Sequence, residues 1–129
     1  MAFYAYLSHG IHYPGDDFTI KNDHPVTNLG GGYNPTTGVF TCPEEGVYVF
    51  TWAIGLVTTG QVYSQLLKNG VAAGFLWTGE KNWAEASEKT VVFELAQGDT
   101  TTVKIESAEN TSPILWNLRT SFSGYIIPY

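Results

Sequence analysis

The side chains best suited to ligand chemistry in this sequence are tryptophans that stand among amides and charged groups. One such stretch runs from Trp77 to Trp83, and a second runs from Trp116 to Arg119. A sugar has apolar C–H faces and a rim of hydroxyls, so its binding site combines an aromatic platform with fixed amide, carboxylate or guanidinium groups. The predicted carbohydrate-binding residues are Trp77, Glu80, Lys81, Asn82, Trp83, Trp116, Asn117 and Arg119.

Two of these residues, Lys81 and Arg119, extend the prediction to glycans that end in a carboxylate. Either side chain would supply the cation that such a ligand needs. Trp77 and Trp116 also have a purely structural interpretation, in which they cap the ends of the fold or lie in a subunit interface. The sequence leaves both interpretations open.

Residue patterns typical of enzymes are missing from the sequence, which has no Gly-x-Ser-x-Gly, Gly-x-x-x-x-Gly-Lys or His-Glu-x-x-His motif. His9 and His12 stand near Asp16 and Asp17, and a metal ion would suit that spacing. Exposed loop histidines are the favoured interpretation. The single cysteine, Cys42, lies in a strand pattern without a neighbouring base, so an inert thiol is expected. We predict a protein that is not an enzyme and holds no cofactor or metal.

The composition indicates one domain with a weakly charged surface. The chain has 129 residues, of which 43% are hydrophobic, 15% aromatic and only 14% charged. So few charges leave apolar patches exposed on a monomer, which favours a subunit interface. The net charge of −6 argues against nucleic-acid partners and against docking on anionic membranes. No apolar run approaches the roughly 20 residues of a membrane helix. The protein is either made without a secretory signal or is a mature domain with an added Met1, and the second alternative is favoured.

The stretch from Tyr33 to Val57 organises the predicted fold. A short alternating segment, Phe40-Thr41-Cys42, is followed by the turn residues Pro43-Glu44-Glu45-Gly46 and then by eleven uncharged residues. At period two, the large residues of that run share one face: Tyr48, Phe50, Trp52, Ile54 and Leu56. The pattern predicts a central strand in a core of two sheets.

The remaining sequence predicts short strands separated by turns, eight to ten in all, with no helical period. Asn69-Gly70 is the strongest hairpin signal. Three stretches are predicted to be irregular: 22–33, 78–89 and 106–119. Short strands at regular spacing are typical of a sandwich or jelly roll, here a single all-β domain over residues 1–129.

One block of spaced residues is specific enough to compare with a known family. It consists of Tyr33, Gly38, Phe40, Cys42, Pro43, Gly46, Tyr48 and Phe50. Further matching segments are Ala2-Phe3-Tyr4-Ala5, Phe18, Asn28, Leu66-Leu67-Lys68-Asn69-Gly70, Ala86-Ser87, Gly98-Asp99 and Phe122-Ser123-Gly124. In this order they resemble the globular-head domain of the complement C1q family, along essentially the whole chain.

This resemblance implies a ten-strand, two-sheet jelly roll like that of tumour necrosis factor, secreted and assembled as a homotrimer around apolar side chains. The sequence contains no collagen-like Gly-x-y stem, so we expect a stand-alone head, a form abundant in invertebrates and notably in molluscs. Several such heads are lectin-like proteins that recognise microbial or host glycans, sialic acid among them. The expected function is therefore glycan recognition in innate immunity.

The resemblance also implies where calcium would bind, because family members that hold it use Asp residues before the Ala-Ser segment. Here that loop offers only Glu80 and Glu85, whereas calcium takes six to eight oxygen ligands, so no such site is expected. An alternative function is an extracellular structural or carrier protein of a mineralising tissue, whose negative charge attracts calcium weakly. A cytokine-like receptor ligand is a further alternative by analogy of fold.

Overall fold

The computed structural model describes residues 1–12, 14–57, 60–80, 85–109 and 114–128. These residues form thirteen strands and no helix. In chain order the strands are β1 (Ala2–Tyr6), β2 (Ile11–His12), β3 (Phe18–Thr19), β4 (His24–Leu29), β5 (Tyr33–Asn34), β6 (Val39–Thr41), β7 (Gly46–Leu56), β8 (Gly60–Lys68), β9 (Val71–Glu80), β10 (Glu85–Leu95), β11 (Thr100–Glu109), β12 (Ile114–Leu115) and β13 (Ser121–Ile127).

The strands form two antiparallel sheets. Sheet 1 has the order β2-β12-β7-β13-β1-β4, and β10 also pairs with β7. Sheet 2 has the order β5-β6-β11-β8-β9, and β3 also pairs with β11. The predicted all-β, two-sheet jelly roll is confirmed. Four of the thirteen described strands, β2, β3, β5 and β12, are only two residues long. The nine longer strands agree with the eight to ten strands that the sequence predicts.

Strand β7 is central to sheet 1, as its sequence predicts. It pairs with β10 along its whole length, while β13 and then β12 pair with its other edge. The large residues at alternate positions all point into the core, where each is at most 1% exposed: Tyr48, Phe50, Trp52, Ile54 and Leu56. The indole N–H of Trp52 donates to the hydroxyl of Ser64 across the two sheets at 3.0 Å.

A cluster of aromatic rings fills the core between the sheets. The ring of Phe3 stacks on those of Tyr33 and Phe40 at centroid distances of 4.9 and 5.0 Å, and meets Phe122 edge-on at 4.9 Å. Offset-stacked and edge-on pairs of this kind add stability beyond the area that they bury. The rings come from β1, β5, β6 and β13, so this cluster ties the two ends of the chain into one core.

The three stretches predicted to be irregular contain strands, so that prediction is wrong in part. β4 is an edge strand with mostly exposed side chains, which removes the alternation of apolar and polar residues that marks a half-buried strand. Its Pro25 is tolerated because an edge strand has one unpaired side. Likewise, β9 runs to Glu80, β10 begins at Glu85 and β11 runs to Glu109.

The β8–β9 hairpin confirms the sequence signal that predicts it. Asn69 and Gly70 have φ angles of 52° and 81°, the positive values that a type I′ hairpin requires. Beyond β6, the buried Cys42 exchanges backbone hydrogen bonds with the β10–β11 turn, donating to Asp99 at 2.7 Å and accepting from Gly98 at 2.8 Å. Its thiol donates to the carbonyl of Glu44 at 3.1 Å, as expected for an inert buried cysteine.

Candidate binding site

The predicted residues Trp116, Asn117 and Arg119 lie in the turn between β12 and β13. The amide of Trp116 donates to the carbonyl of Gly55 in β7 at 2.8 Å. Gly55 is required there, because an added Cβ would come within 2.8 Å of the Cβ of Arg119. The hydroxyl of the buried Thr120 accepts from the amide of Gly55 at 3.2 Å. The turn is therefore fixed against the outer face of sheet 1.

Within this turn, the guanidinium of Arg119 lies over the ring of Trp116, with its Cζ 4.6 Å from the ring centroid. Such a cation–π contact holds the side chain in place without using its hydrogen-bond donors. No described residue accepts a hydrogen bond from this guanidinium. The donors of Arg119 therefore remain available to a carboxylate or hydroxyl outside the protein, beside the half-buried Asn117.

Of the other predicted stretch, the structure describes Trp77 on the opposite side of the sandwich. Trp77 stands on the outer face of sheet 2, paired with Tyr63 of β8, and is 49% exposed. Its neighbour Thr78 points inward, where its hydroxyl meets that of Ser87 in β10 at 2.5 Å. Trp77 therefore does not join Trp116 and Arg119 in one site. Glu80 ends β9, and the predicted Lys81, Asn82 and Trp83 lie outside the described residues.

The outer face of sheet 1 carries an apolar row that crosses five strands. The backbone register aligns Val92 of β10, Val49 of β7, Tyr125 of β13, Ala2 of β1 and Leu29 of β4. Val92, Tyr125 and Leu29 are 59%, 53% and 66% exposed in the isolated chain. Contiguous exposed apolar surface of this kind marks an interaction site.

A cleft of about 520 Å³ opens at another place, between the segment after β1 and the segments that flank β3 and β5. Its walls are Leu7, His9, Ile11, Phe18, Lys21, Asp23, Pro35 and Thr36. Sequence reasoning missed this cleft because its residues are dispersed over thirty positions and match no motif. Of these residues, only His9 stands out in the sequence as a candidate ligand-binding side chain.

At the rim of this cleft His9 faces Asp23, not the predicted Asp16 and Asp17, with its Nδ1 3.7 Å from a carboxylate oxygen. The amide and hydroxyl of Ser8 donate to the same carboxylate at 2.9 and 2.5 Å. Partial burial raises the pKa of Asp23, but these hydrogen bonds outweigh burial, so its pKa lies below the ordinary value. Asp23 is therefore a satisfied anion.

A comparison with models of known protein families gives a match over nearly the whole chain. The family model described as the C1q domain matches residues 2–127. The chain belongs to the C1q domain family. This membership confirms the resemblance drawn from the central block of residues and covers nearly the whole sequence. A closeness to molluscan stand-alone heads stays a prediction.

Two mouse relatives of this C1q domain are similar to most of the chain. Collagen alpha-1(X) chain is 27% identical over 119 residues, covering 89% of this chain and 17% of the relative. Complement C1q and tumor necrosis factor-related protein 9 is 30% identical over 117 residues, covering 89% of this chain and 35% of the relative. The chain thus spans about a sixth and a third of the length of these relatives.

Solved structures with low sequence identity share the fold of this C1q domain. The globular domain of zebrafish complement 1qA superposes with a TM-score of 0.77 at 15% identity, covering 98% of this chain and 97% of that one. Murine APRIL at pH 5.0 gives 0.73 at 15% identity, with 98% of each chain covered. Eiger TNF from S. frugiperda gives 0.71 at 11% identity, covering 99% of this chain and 92% of that one.

The expected lack of a calcium site before Ala86-Ser87 stays a prediction for this C1q domain. Within residues 1–12, 14–57, 60–80, 85–109 and 114–128, no three His, Cys, Asp or Glu side chains come close enough to hold a metal ion. Glu85 has one carboxylate oxygen that is buried without a described hydrogen-bond partner.

C1q and tumour necrosis factor-like domains are generally recognition or signalling modules, not enzymes. The described residues of this C1q domain contain no helix that is long and apolar enough to cross a membrane.

Proposed function

We propose that this C1q domain is a secreted, homotrimeric lectin-like protein that binds glycans in innate immunity, with sialic acid or microbial surface sugars as ligands. The observation that carries the proposal is the pair of Trp116 and Arg119. An exposed guanidinium is held over an indole on a turn that β7 fixes, and its donors have no hydrogen-bond partner among the described residues. Sugars with a carboxylate need this combination of an aromatic surface and a planar cation.

Hydrogen bonding at this pair would proceed without rearrangement of the turn. The guanidinium can donate two parallel hydrogen bonds to a carboxylate, while the amide of Asn117 serves the ligand hydroxyls. The backbone of the turn is held by the Trp116–Gly55 hydrogen bond and by that from the Leu118 amide to the Leu7 carbonyl at 2.9 Å. A site that is ordered before binding loses less entropy when the ligand arrives.

The apolar row on sheet 1 supports the trimeric part of the proposal. Exposed valine, tyrosine and leucine side chains in one line suit burial against further copies of the chain. Three weak glycan sites on one rigid trimer would gain avidity on a surface that presents many sugars. Trp77 on the outer face of sheet 2 is a second aromatic platform that this trimer would display.

The test is a glycan array followed by saturation-transfer NMR with the parent protein, Arg119→Gln and the control Lys89→Gln. Lys89 is exposed on β10 and lies outside the turn. We expect the parent to bind sialylated glycans, and Arg119→Gln to weaken that binding about tenfold, as loss of a charged hydrogen bond does. Binding of desialylated glycans should not be weakened by Arg119→Gln. The control Lys89→Gln should bind sialylated glycans as tightly as the parent does.

Two results would contradict the proposal. No binding of sialylated and mannose-type glycans above background would refute glycan recognition. Many weakly bound calcium ions in calorimetry, together with that result, would favour the extracellular structural or carrier protein. Equal binding by the parent and Arg119→Gln would place any glycan site away from the Trp116–Arg119 pair.

A further inference from the structure

We propose that the cleft beside β3 binds a small organic acid, with one carboxylate at Lys21 and an apolar body against Leu7, Ile11 and Phe18. This inference concerns different residues from the glycan site and does not rest on it. The cleft of about 520 Å³ is in the range of sites that enclose small molecules.

The floor of the cleft is apolar. Leu7 is only 1% exposed, while Ile11, Phe18 and Pro35 are half-buried around it. Aliphatic and aromatic walls of this kind favour a hydrocarbon body over the hydroxyl-rich body of a neutral sugar, because each buried hydroxyl would need a hydrogen-bond partner. The floor therefore selects for the apolar part of the ligand.

The charges around the cleft leave one cation unpaired. Asp23 is satisfied by Ser8 and by His9, as its contacts show. Lys104 nearby is paired with Asp17 at 2.8 Å. Lys21 has no hydrogen bond or ion pair with any described residue. Its ammonium group is thus the one charge that lines the described cleft and still lacks a counter-ion, which calls for a single anionic group on the ligand.

The position of Lys21 fixes which way such a ligand would lie. Lys21, Phe18 and Thr36 line both this cleft and a more open hollow of about 470 Å³ beyond it. In that hollow the hydroxyl of Thr102 already donates to the carbonyl of Gly38, whereas that of Thr37 accepts from the amide of Val39. A carboxylate at the junction would meet Lys21, which lines both spaces, and the apolar body would enter the first cleft.

The backbone on both sides of Lys21 is anchored. The amide of Ile20 donates to the carbonyl of Val103 at 3.0 Å, and the carbonyl of Asn22 accepts from the hydroxyl of Tyr33 at 2.8 Å. The side-chain hydroxyl of Thr36 has no described partner and can donate a second hydrogen bond to the carboxylate. A cation on a fixed backbone next to a free donor is suited to binding an anion without a large ordering cost.

The experiment titrates octanoate into the folded protein and follows methyl NMR shifts, with octanol and octylammonium as neutral and cationic controls. We expect octanoate to shift the methyl signals of Leu7 and Ile11 and to bind about tenfold more tightly than octanol, as one charged hydrogen bond predicts. Lys21→Gln should remove that preference. Lys89→Gln and Arg119→Gln should keep it.

Three outcomes would overturn the inference. These are no shifts at Leu7 and Ile11 up to millimolar octanoate, equal binding of octanoate and octanol, and an unchanged preference in Lys21→Gln. Loss of glycan binding in Arg119→Gln with normal octanoate binding would leave this inference standing. The two proposals therefore fail independently.

Discussion

At the scale of single residues, the carboxylate of Asp99 holds two turns of the domain together. One of its oxygens accepts from the amide of Ala96 at 2.8 Å, and the other accepts from the side-chain amide of Asn69 at 3.1 Å. The carbonyl oxygen of that same amide accepts from the Thr100 N–H at 2.9 Å. The β8–β9 and β10–β11 turns are thus joined through one charged group.

This arrangement predicts an acid-sensitive contribution to stability. The hydrogen bonds from Ala96 and then from Asn69 lower the pKa of Asp99 below its ordinary value of 3.8. A carboxyl group whose pKa is lower in the folded state adds stability above its unfolded pKa, and that stability is lost as the pH falls through the folded pKa. We expect Asp99→Asn to lower the urea midpoint at pH 7, and the difference from the parent to shrink below about pH 4.

Asp16→Asn is the matched control for this measurement, because Asp16 is exposed and has no described hydrogen-bond partner. Its urea midpoint should follow the parent at every pH. A constant difference between Asp99→Asn and the parent from pH 7 down to pH 2.5 would show that the charge of Asp99 contributes nothing.

At the scale of elements, close contact between β13 and the core depends on one residue without a side chain. An added Cβ at Gly124 would lie 2.6 Å from Cδ1 of Phe50 and 2.8 Å from Cε1 of Phe3. The ring of Phe3 belongs to the aromatic cluster that joins the sheets, and the ring of Phe50 in β7 packs beside it with a centroid distance of 6.3 Å. The outward neighbour Ser123 makes only a long hydrogen bond, at 3.4 Å, to the carbonyl of Thr51.

Gly124→Ala should therefore destabilise the fold, since the methyl group must displace packed rings. Overpacking of a well-filled core costs about 1–3 kcal/mol, to be measured as the free energy of unfolding in urea. Ser123→Ala changes the adjacent position without touching the rings, and its free energy of unfolding should stay within about 0.5 kcal/mol of the parent, as at other surface sites. An equal loss in both variants would mean that the rings are not tightly packed around Gly124.

The sequence predicts a strand well where the residues on its two faces differ clearly in size or polarity. The period-two run in β7 identifies its core face correctly, because large and small residues separate cleanly there, and the Asn69-Gly70 signal locates the hairpin because few residues accept two positive φ angles. Edge strands such as β4 escape prediction because exposure on both sides removes the alternation.

The candidate sites are less predictable because they depend on how distant segments meet. The sequence places Trp116 and Arg119 in one predicted irregular stretch, 106–119, and the two side chains do meet. Trp77 also matches the predicted mixture of residues, but no local pattern reveals that it faces the other side of the sandwich. The cleft at Lys21 joins segments as far apart as Leu7 and Pro35, so its walls carry no signal in the sequence.

At the scale of the whole molecule, the apolar row determines whether the domain exists as a single chain or associates with further copies. Its residues come from five strands and align only through the backbone register. Three exposed members, Val92, Tyr125 and Leu29, have no apolar cover in the isolated chain. Assembly into a trimer would remove this surface from water, with a free-energy gain of about 25 cal/mol per Å².

Tyr125→Glu should disrupt such an assembly, because burying an unpaired carboxylate is strongly unfavourable. Light scattering should give three times the chain mass of 14.2 kDa for the parent and a single 14.2 kDa mass for the variant. Val71→Glu, on the exposed end of β9 in sheet 2, is the control and should remain trimeric. A parent protein that scatters as a lone chain would refute the proposed trimer.

The buried thiol of Cys42 gives this molecule an intrinsic reporter of opening. Because β6 is fastened to the β10–β11 turn by backbone hydrogen bonds on both sides of that residue, a thiol reagent can reach the sulfur only when those bonds part. The sequence has no second cysteine to compete. The rate of alkylation at a chosen denaturant concentration would thus measure how often this corner of the sandwich separates, without any label being engineered into it.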